Sequence, residues 1–278
     1  MLSSQPFQRD YPFTFCFLNT TLHLREKPSA NACTALEQLI RQRHAHKQTR
    51  ASAPLANGET PLFAKVQPLD TLKAKVRVTL GKPQRNGRFD WPLEELINTV
   101  EAQRRGVQMS DLEGFGYTRD RLGLVQEYFI LTRLLDDYID GVQWLRNNPD
   151  KIEPFIRDAF GLLHSLAQKN ITHMDFWAGN IMISPQAPLK AIDFENCFAT
   201  ITPHPSETLG FQLGFFYRRE VYKLITEAQY DTLVEEYLDQ LPGICAEKFN
   251  QVYQASKHEY VGRKQRREVF LKGNLITG

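Results

Sequence analysis

The chain has 278 residues, of which 42% are hydrophobic and 24% are charged, and its formal net charge is +2 at pH 7. This is the composition of a globular protein with one large domain or two lobes, and so small a net charge gives no reason to expect a nucleic-acid partner. The four cysteines include no C-x-x-C pair, which argues against a zinc site. We find neither an apolar run near the ~18 residues of a membrane span nor a secretory leader, so the sequence predicts a cytoplasmic protein.

The first half of the chain has the pattern of an antiparallel sheet. Phenylalanines alternate with other residues along 13–17 and predict a strand. The dipeptide Asn57-Gly58 is typical of a two-residue hairpin turn, and it leads into a strand that begins at Leu62. In the basic stretch from Lys73 to Leu80, polar and apolar residues alternate only in part. The elements predicted here are strands over 13–17, 22–24, 62–66, 115–118 and 122–129, and helices over 29–44 and 90–105.

The second half is predicted to be mainly helical. Apolar residues recur at helical spacing from Ile152 to Leu166, and further helices are predicted over 207–224 and 227–241. We therefore predict an α+β chain of two lobes. Residues 1–130 would form a small, mostly antiparallel sheet with one main helix, and residues 131–278 would form a mainly helical lobe.

The most informative segment runs from Thr172 to Glu195. It contains His173, Asp175 and Asn180 in the spacing H-x-D-x-x-x-x-N, and Asp193 follows a short apolar run. Kinase-fold enzymes use this pattern for phosphoryl transfer, with one Asp near the acceptor hydroxyl and an Asn and a second Asp on the divalent metal ions. A hairpin in the chain between Asn180 and Asp193 would bring these two residues to neighbouring strand ends, where their oxygens suit Mg²⁺.

Each residue of this segment has a role and an alternative. We predict that Asp175 acts as the base that orients the acceptor hydroxyl. His173 would brace the loop through hydrogen bonds, an interpretation that overlaps with that of a packed core histidine. The alternative for Asp175, Asn180 and Asp193 is that they are turn or capping residues without a catalytic role, since Asp and Asn are common in turns.

The chain resembles the bacterial lipopolysaccharide core kinases, which phosphorylate Kdo or heptose. The resemblance runs from about Leu62 to the C-terminal basic helix. It implies a two-lobed protein-kinase-like fold, ATP and Mg²⁺ as nucleotide and metal, and a sugar or glycolipid acceptor. The stretches that carry it are Leu62-Phe63-Ala64-Lys65, Glu113-Gly114-Phe115-Gly116, the His173, Asp175, Asn180 and Asp193 positions, and Leu209-Gly210-Phe211-Gln212-Leu213-Gly214.

The resemblance also implies a nucleotide-binding set in the first lobe. Lys65 would contact the α- and β-phosphates and would be aligned by Glu95, with Lys73, Lys75 and Glu94 as competitors. The backbone of residues 126–129 would line the adenine site, which assigns Glu127 and Phe129 to it by position. The chain departs from the kinase pattern in two ways. No glycine precedes Gly58, so no G-x-G-x-x-G loop is present in the first hairpin, and Glu195 stands in place of the glycine of D-F-G.

Three basic clusters, over 41–50, 73–88 and 263–267, are either solvated faces or surfaces that attract an anionic membrane or glycolipid. The second interpretation predicts peripheral contact with the inner face of the cytoplasmic membrane. Trp177 could stack on a sugar or pack in the core, and Tyr217, Arg218 and Arg219 are candidates for acceptor contact.

Two other functions remain open from the sequence. A soluble small-molecule kinase, similar to aminoglycoside or choline kinases, would suit the same motifs. Such relatives usually carry acidic residues after the metal Asp, whereas residues 196–206 contain no acid, which favours a neutral or anionic acceptor. A pseudokinase-like binding protein is the third hypothesis, and the missing glycine loop supports it.

Overall fold

The computed structural model describes residues 9–45, 51–55, 61–84 and 88–275, which belong to two compact units. The first unit extends to Val100 and includes Ser110–Asp136, and the second contains Glu101–Met109 and the chain from Asp137 onward. The predicted boundary between residues 130 and 131 falls inside a strand. The chain therefore leaves the first unit later than the sequence suggested.

The first unit is built on a six-stranded antiparallel sheet with the strand order β1-β2-β5-β6-β4-β3. The pairing of β3 with β4 agrees with a hairpin, although Asn57-Gly58 itself lies outside the described residues. The elements are β1 (Phe13–Phe17), β2 (Thr20–Leu24), α1 (Ala30–Ala45), β3 (Ala51–Leu55), β4 (Leu62–Pro68), α2 (Leu72–Leu80), α3 (Trp91–Arg104), β5 (Leu112–Arg119) and β6 (Val125–Arg133).

Both faces of this sheet are buried, because a helix packs on each side. Side chains alternate between the two faces of a strand. Phe129 and Leu131 of β6 therefore join a cluster with α1, whereas Tyr128 and Ile130 join a cluster with α3. The same alternation along β4 places Lys65 on the face opposite Ala64 and Val66, which is the face that α3 covers.

Helix α2 replaces the partly alternating stretch expected near Lys73. Thr71 caps its first turn by accepting a hydrogen bond from the Ala74 N–H, and Gly81 ends it with a φ of 61°. Ala74 and Val78 face the core, four residues apart, and the apolar residues between and around them point outward. The helical period decides which residues are buried here.

The second unit is mainly helical, so the predicted α+β class is confirmed. Its main helix, α5, buries an apolar face that runs from Ile152 to Leu166, as the sequence predicted. The elements are β7 (Ile139–Asp140), α4 (Gly141–Asn147), α5 (Ile152–Gln168), β8 (Thr172–His173), β9 (Ile181–Ser184), β10 (Ala187–Ala191), β11 (Cys197–Phe198), α6 (Pro205–Arg219), α7 (Glu227–Leu238), α8 (Ala246–His258) and α9 (Arg263–Lys272).

Two glycines let α6 pack closely on α8. A Cβ atom at Gly210 would lie 2.5 Å from the backbone oxygen of Phe249, and one at Gly214 would lie 2.6 Å from that of Tyr253. Any larger residue would push the two helices apart. This packing fixes α6, whose last turn carries Arg218 and Arg219. Among the described residues, none of the helices is long and apolar enough to cross a membrane.

Candidate active site

The segment 172–196 is held in place by backbone pairing within the second unit. Asn170 ends the preceding turn in the left-handed conformation, with a φ of 53°. Strand β8 then pairs antiparallel with β11, so that His173 lies opposite Cys197. The Met174 N–H donates to the backbone oxygen of Asn196 at 2.9 Å. The chain on either side of Asp175 is therefore anchored.

His173 uses both ring nitrogens inside this segment. Its Nε2 lies 3.0 Å from the backbone oxygen of Ile192, to which it donates, and its Nδ1 accepts from the Asp175 N–H at 3.2 Å. Burial lowers the pKa of His173, which favours the neutral ring that this pattern requires. Gln212 of α6 adds a hydrogen bond of 3.1 Å to the His173 backbone oxygen. The geometry favours a bracing role over proton transfer.

The hairpin of β9 and β10 brings Asn180 and Asp193 to neighbouring strand ends. The strands pair antiparallel, and beyond them the Ile192 N–H donates to the backbone oxygen of Asn180 at 3.0 Å. Asn180 donates its side-chain N–H to the Asp175 backbone oxygen at 2.8 Å. Its Oδ1 makes no hydrogen bond with any residue that the structure describes. An amide oxygen next to a carboxylate is a donor pair that suits Mg²⁺.

Asp193 has an unusual backbone conformation. Its φ is 63° and its ψ is 67°, in the left-handed region that residues other than glycine seldom occupy. Such strain is retained where the surroundings fix it, and it is found more often at functional positions than elsewhere. It directs the chain from the hairpin into the turn 194–196.

Asp175 has a partner that the sequence did not reveal. Arg266 of α9 donates from Nη1 to the Asp175 Oδ1 at 2.6 Å and from Nε to the backbone oxygen of Val261 at 3.0 Å. The Arg266 side chain is 8% exposed and that of Asp175 is 20% exposed. Burial lowers the pKa of Arg266, although a guanidinium of this kind keeps its charge at neutral pH. The two residues are 91 positions apart, so no local spacing could have paired them.

The other arginines of α9 contact the residues that follow Asp193, although the Arg263 side chain is 60% exposed. Arg263 forms an ion pair with Glu195, and Arg267 Nε lies 3.4 Å from the side-chain oxygen of Asn196. The sequence placed both, with Lys264 and Arg266, in a basic surface cluster. Arg266 is buried and Arg267 half-buried, whereas Arg263 and Lys264 are exposed, so the expected outward-facing cluster holds for only two of its four cations.

The first unit contains the predicted lysine–glutamate pair. Lys65 Nζ lies 2.7 Å from Glu95 Oε1, and Gln67 donates to the other carboxylate oxygen at 2.8 Å. The contact follows from the sheet, because Lys65 and Gln67 lie on the face that α3 covers. Glu95 is 4% exposed. The competing lysines are used elsewhere, since Lys75 donates to the Gln126 side chain and Lys73 is exposed on α2.

Glu127 and Phe129 lie inside strand β6 of the sheet. Strand β6 continues to Arg133 and has β4 on one side and β5 on the other, so the backbone groups of this segment are used in pairing. Glu127 forms an ion pair with Arg43, whose Nη2 lies 2.7 Å from Glu127 Oε2, and Phe129 is completely buried. The prediction that the 126–129 backbone lines an adenine site does not agree with this geometry, because strand pairing continues along β6 to Arg133.

No family model matches this chain, and no curated protein matches it either. Two examples among the similar solved structures show the likeness. One is WaaP in complex with acyl carrier protein, with a TM-score of 0.46, 14% identity, and coverage of 71% of this chain and 77% of that chain. The other is the bifunctional kinase-methyltransferase WbdD, with a TM-score of 0.46 and 14% identity over 91% of this chain and 51% of that chain. The chain thus spans about half the length of the WbdD chain.

Proposed function

We propose that this chain is an ATP- and Mg²⁺-dependent kinase that phosphorylates a sugar hydroxyl of the lipopolysaccharide core. The observation that carries the proposal is the bonded arrangement of Asp175, Asn180 and Asp193 in the second unit. His173 braces it through both ring nitrogens. Catalysis of phosphoryl transfer consists mostly of positioning and charge stabilisation, and this segment has the residue types for both.

In this proposal each residue of the second unit has one task. Asp175 accepts a hydrogen bond from the acceptor hydroxyl and orients it. The Asn180 Oδ1 and the Asp193 carboxylate hold the metal ion. When bound, Mg²⁺ would neutralise the negative charge of the nucleotide phosphates. Asn180 also links the metal ligands to the base, because its amide N–H is bonded to the Asp175 backbone oxygen at 2.8 Å.

The first unit would supply the phosphate-binding lysine. Lys65 offers an ammonium group whose position is set by Glu95, and Glu95 is itself held by Gln67. A buried carboxylate with two partners aligns the lysine better than an exposed one would, since exposed pairs contribute little. We place the contact with the nucleotide base after β6, beyond the paired backbone of that strand.

The acceptor assignment has its support in the resemblance and in the charge of the second unit. Residues 196–206 carry no acid, and Arg219 and Arg266 lie beside the Asp175 segment. A cationic acceptor, such as an aminoglycoside or choline, would meet positive charge there. This favours a neutral or anionic sugar acceptor over the cationic acceptors of the alternative kinase hypothesis.

We further propose that this protein is cytoplasmic and contacts the membrane peripherally through helix α2. Leu72, Val76 and Leu80 are four residues apart, and their exposed fractions are 68%, 37% and 58%. They form one exposed apolar stripe on α2, beside the exposed Lys73, and Lys82 follows the helix. Leu122, on the turn between β5 and β6, is also 85% exposed. Apolar side chains flanked by lysines suit the surface of an anionic leaflet.

The test of the kinase proposal is transfer of labelled phosphate from ATP, with and without Mg²⁺. The acceptors are purified core glycolipid, an aminoglycoside and choline. We expect Mg²⁺-dependent transfer to the glycolipid, loss of that transfer in Asp193→Asn, and full activity in Asp158→Asn, which removes an exposed acid on α5.

Two outcomes would favour the alternatives. Preferential transfer to the aminoglycoside or choline would support a soluble small-molecule kinase. ATP binding that is the same with and without Mg²⁺, together with no transfer to any acceptor, would support a pseudokinase-like binding protein.

A further inference from the structure

Two arginines from different helices lie next to each other beside Asp175. Arg219 is the last residue of α6 and Arg266 belongs to α9. Both stack on the ring of Phe215, with guanidinium carbons 5.7 Å and 4.3 Å from the ring centre. Arg219 also covers the ring of Trp177, at 4.3 Å. The rings of Trp177 and Phe215 thus hold two guanidinium groups near the proposed base.

The charges in this cluster do not balance. Asp175 is the ion-pair partner of Arg266, but Arg219 has no carboxylate within ion-pair distance among the described residues. Its neighbour is another cation. After burial, which is the largest cause, the charge of Arg219 also lowers the pKa of Arg266. Two guanidinium groups with one carboxylate leave one positive charge without a counterion.

Hydrogen-bond donors are left over as well. The Arg219 Nε is buried and makes no hydrogen bond within the part of the chain that the structure describes. Arg266 uses Nε and Nη1, whereas its Nη2 has no partner in the same residues. A buried N–H without an acceptor is unfavourable, so the Arg219 Nε–H calls for a ligand that accepts from it, and the Arg266 Nη2 on the neighbouring side chain offers that ligand a further donor.

The ordinary structural explanations account for part of this only. A cation in the last turn of α6 is favourable to the helix dipole, and the stacking on Trp177 and Phe215 stabilises the charge. Neither effect supplies an acceptor for the Arg219 Nε–H. Arg218, one residue earlier on the same turn, shows the difference, since no buried atom of its side chain lacks a hydrogen-bond partner.

We propose that Arg219 and Arg266 bind an anionic group of the acceptor, a carboxylate or a phosphate, and so place a hydroxyl of the same molecule at Asp175. The inference rests on the proposed kinase function and narrows its substrate class to sugar acids or sugar phosphates. The planar guanidinium presents paired donors that match both anions. Because the Arg266 Nη2 is available, the acceptor can bind while the Asp175 pair persists.

Calorimetric titration without ATP tests this binding directly. The probes are glucuronate, its neutral amide glucuronamide, glucose 6-phosphate and inorganic phosphate. The proteins are the unmodified chain, Arg219→Gln, Arg219→Lys and Arg157→Gln. The last is a matched loss of one positive charge, because Arg157 is 52% exposed and pairs with the exposed Glu236 on the surface of the same unit.

We expect the unmodified protein and Arg157→Gln to bind the anionic sugars and not the amide. Arg219→Gln should weaken anion binding about ten- to a hundredfold, the usual effect of losing hydrogen bonds to a charged group. Arg219→Lys should keep part of the affinity. Glucuronate and glucose 6-phosphate identify the carboxylate or the phosphate as the group recognised, and binding of inorganic phosphate alone would assign the site to free phosphate.

Equal affinity for glucuronate and its amide would overturn the inference, as would anion binding that is the same in Arg219→Gln and Arg157→Gln. Absence of binding by every anion would overturn it too. A thermal unfolding curve for Arg219→Gln confirms that the variant is folded. The two proposals fail differently. Arg219-dependent anion binding without phosphoryl transfer rejects the kinase function, whereas transfer to a neutral sugar that persists in Arg219→Gln rejects the anion site.

Discussion

Helices α2 and α9 are both short and basic, yet the structure places their cations in different surroundings. On α9, Arg266 is buried against Asp175, and Arg263 pairs with Glu195. On α2, Lys73 is exposed beside Leu72, which is 68% exposed. Helix α9 therefore buries one of its cations against the proposed catalytic segment, whereas α2 leaves a lysine with apolar neighbours in solvent.

The difference follows from which residues of each helix are buried. On α9, Arg266 shares the inward face with Val269 and Phe270, at helical spacing. On α2, Ala74 and Val78 occupy the buried face. Arginine also suits a buried pair better than lysine, because its planar fork matches a carboxylate and is more weakly hydrated. A run of basic residues alone does not indicate which way it faces, whereas the apolar residues within the same helix do.

The largest effect is expected where α9 meets the catalytic segment. Asp175→Asn should lower kcat by about 10²- to 10⁴-fold, since it removes the proposed general base. ATP binding should be almost unchanged, because Asn180 and Asp193 keep the metal ligands. Initial rates with saturating ATP and a direct nucleotide-binding titration measure the two effects separately. Turnover within a factor of a few of Asp158→Asn would contradict the role of Asp175.

The next effect concerns stability. Arg266→Met should lower the free energy of unfolding by about 3 kcal/mol, because it leaves the carboxylate of Asp175 without its partner in a largely buried site. Lys73→Met on α2 should change it by less than about 0.5 kcal/mol, as is usual for exposed positions. Urea unfolding of both variants gives the comparison. The double variant Arg266→Met/Asp175→Asn should recover part of the stability that Arg266→Met loses. A double variant as unstable as Arg266→Met alone would argue against a coupled pair.

The fold and part of the site could be predicted because their signals are local. The strand alternation and the spacing from His173 to Asn180 each span a few residues, and the hairpin turn between β9 and β10 follows from Pro185 and its neighbours. The Lys65–Glu95 pair agrees with the resemblance. These elements needed no knowledge of distant packing.

The remainder depends on contacts between distant parts of the chain. Arg266 and Asp175 are 91 positions apart, and Arg43 and Glu127 are 84 apart. The end of β6 was placed too early because strand and hinge look alike in an apolar run such as 128–131. Helix α2 was not predicted because its buried face consists of only Ala74 and Val78. The alternation of its three cations with its two valines resembles the pattern of a strand instead.

The pH dependence of stability examines the same catalytic segment through His173. Burial lowers the pKa of this histidine in the folded protein, whereas its ordinary value is 6.5. As pH falls below 6.5, the unfolded chain binds a proton that the folded chain does not, so stability is complete above this value and declines below it. One such proton contributes at most about 1.4 kcal/mol per pH unit. Unfolding of the unmodified protein and His173→Gln between pH 7 and pH 5, measured by urea titration, should show a smaller decline in the variant.

The smallest effect is expected on the outward-facing helix. If α2 contacts an anionic leaflet, each lysine near the surface contributes about 1 kcal/mol, which is about fivefold in affinity. Lys73→Gln with Lys82→Gln should therefore reduce binding to vesicles of mixed neutral and anionic lipid, and added salt should reduce binding of the unmodified protein in the same way. Lys264→Gln is the control, because Lys264 is an exposed lysine on α9, the helix whose Arg266 is buried. Co-sedimentation across a salt series measures all three proteins. If Lys264→Gln weakened vesicle binding as much as the α2 variants, or if neutral vesicles bound equally well, the two helices would not differ in the way that their buried faces indicate.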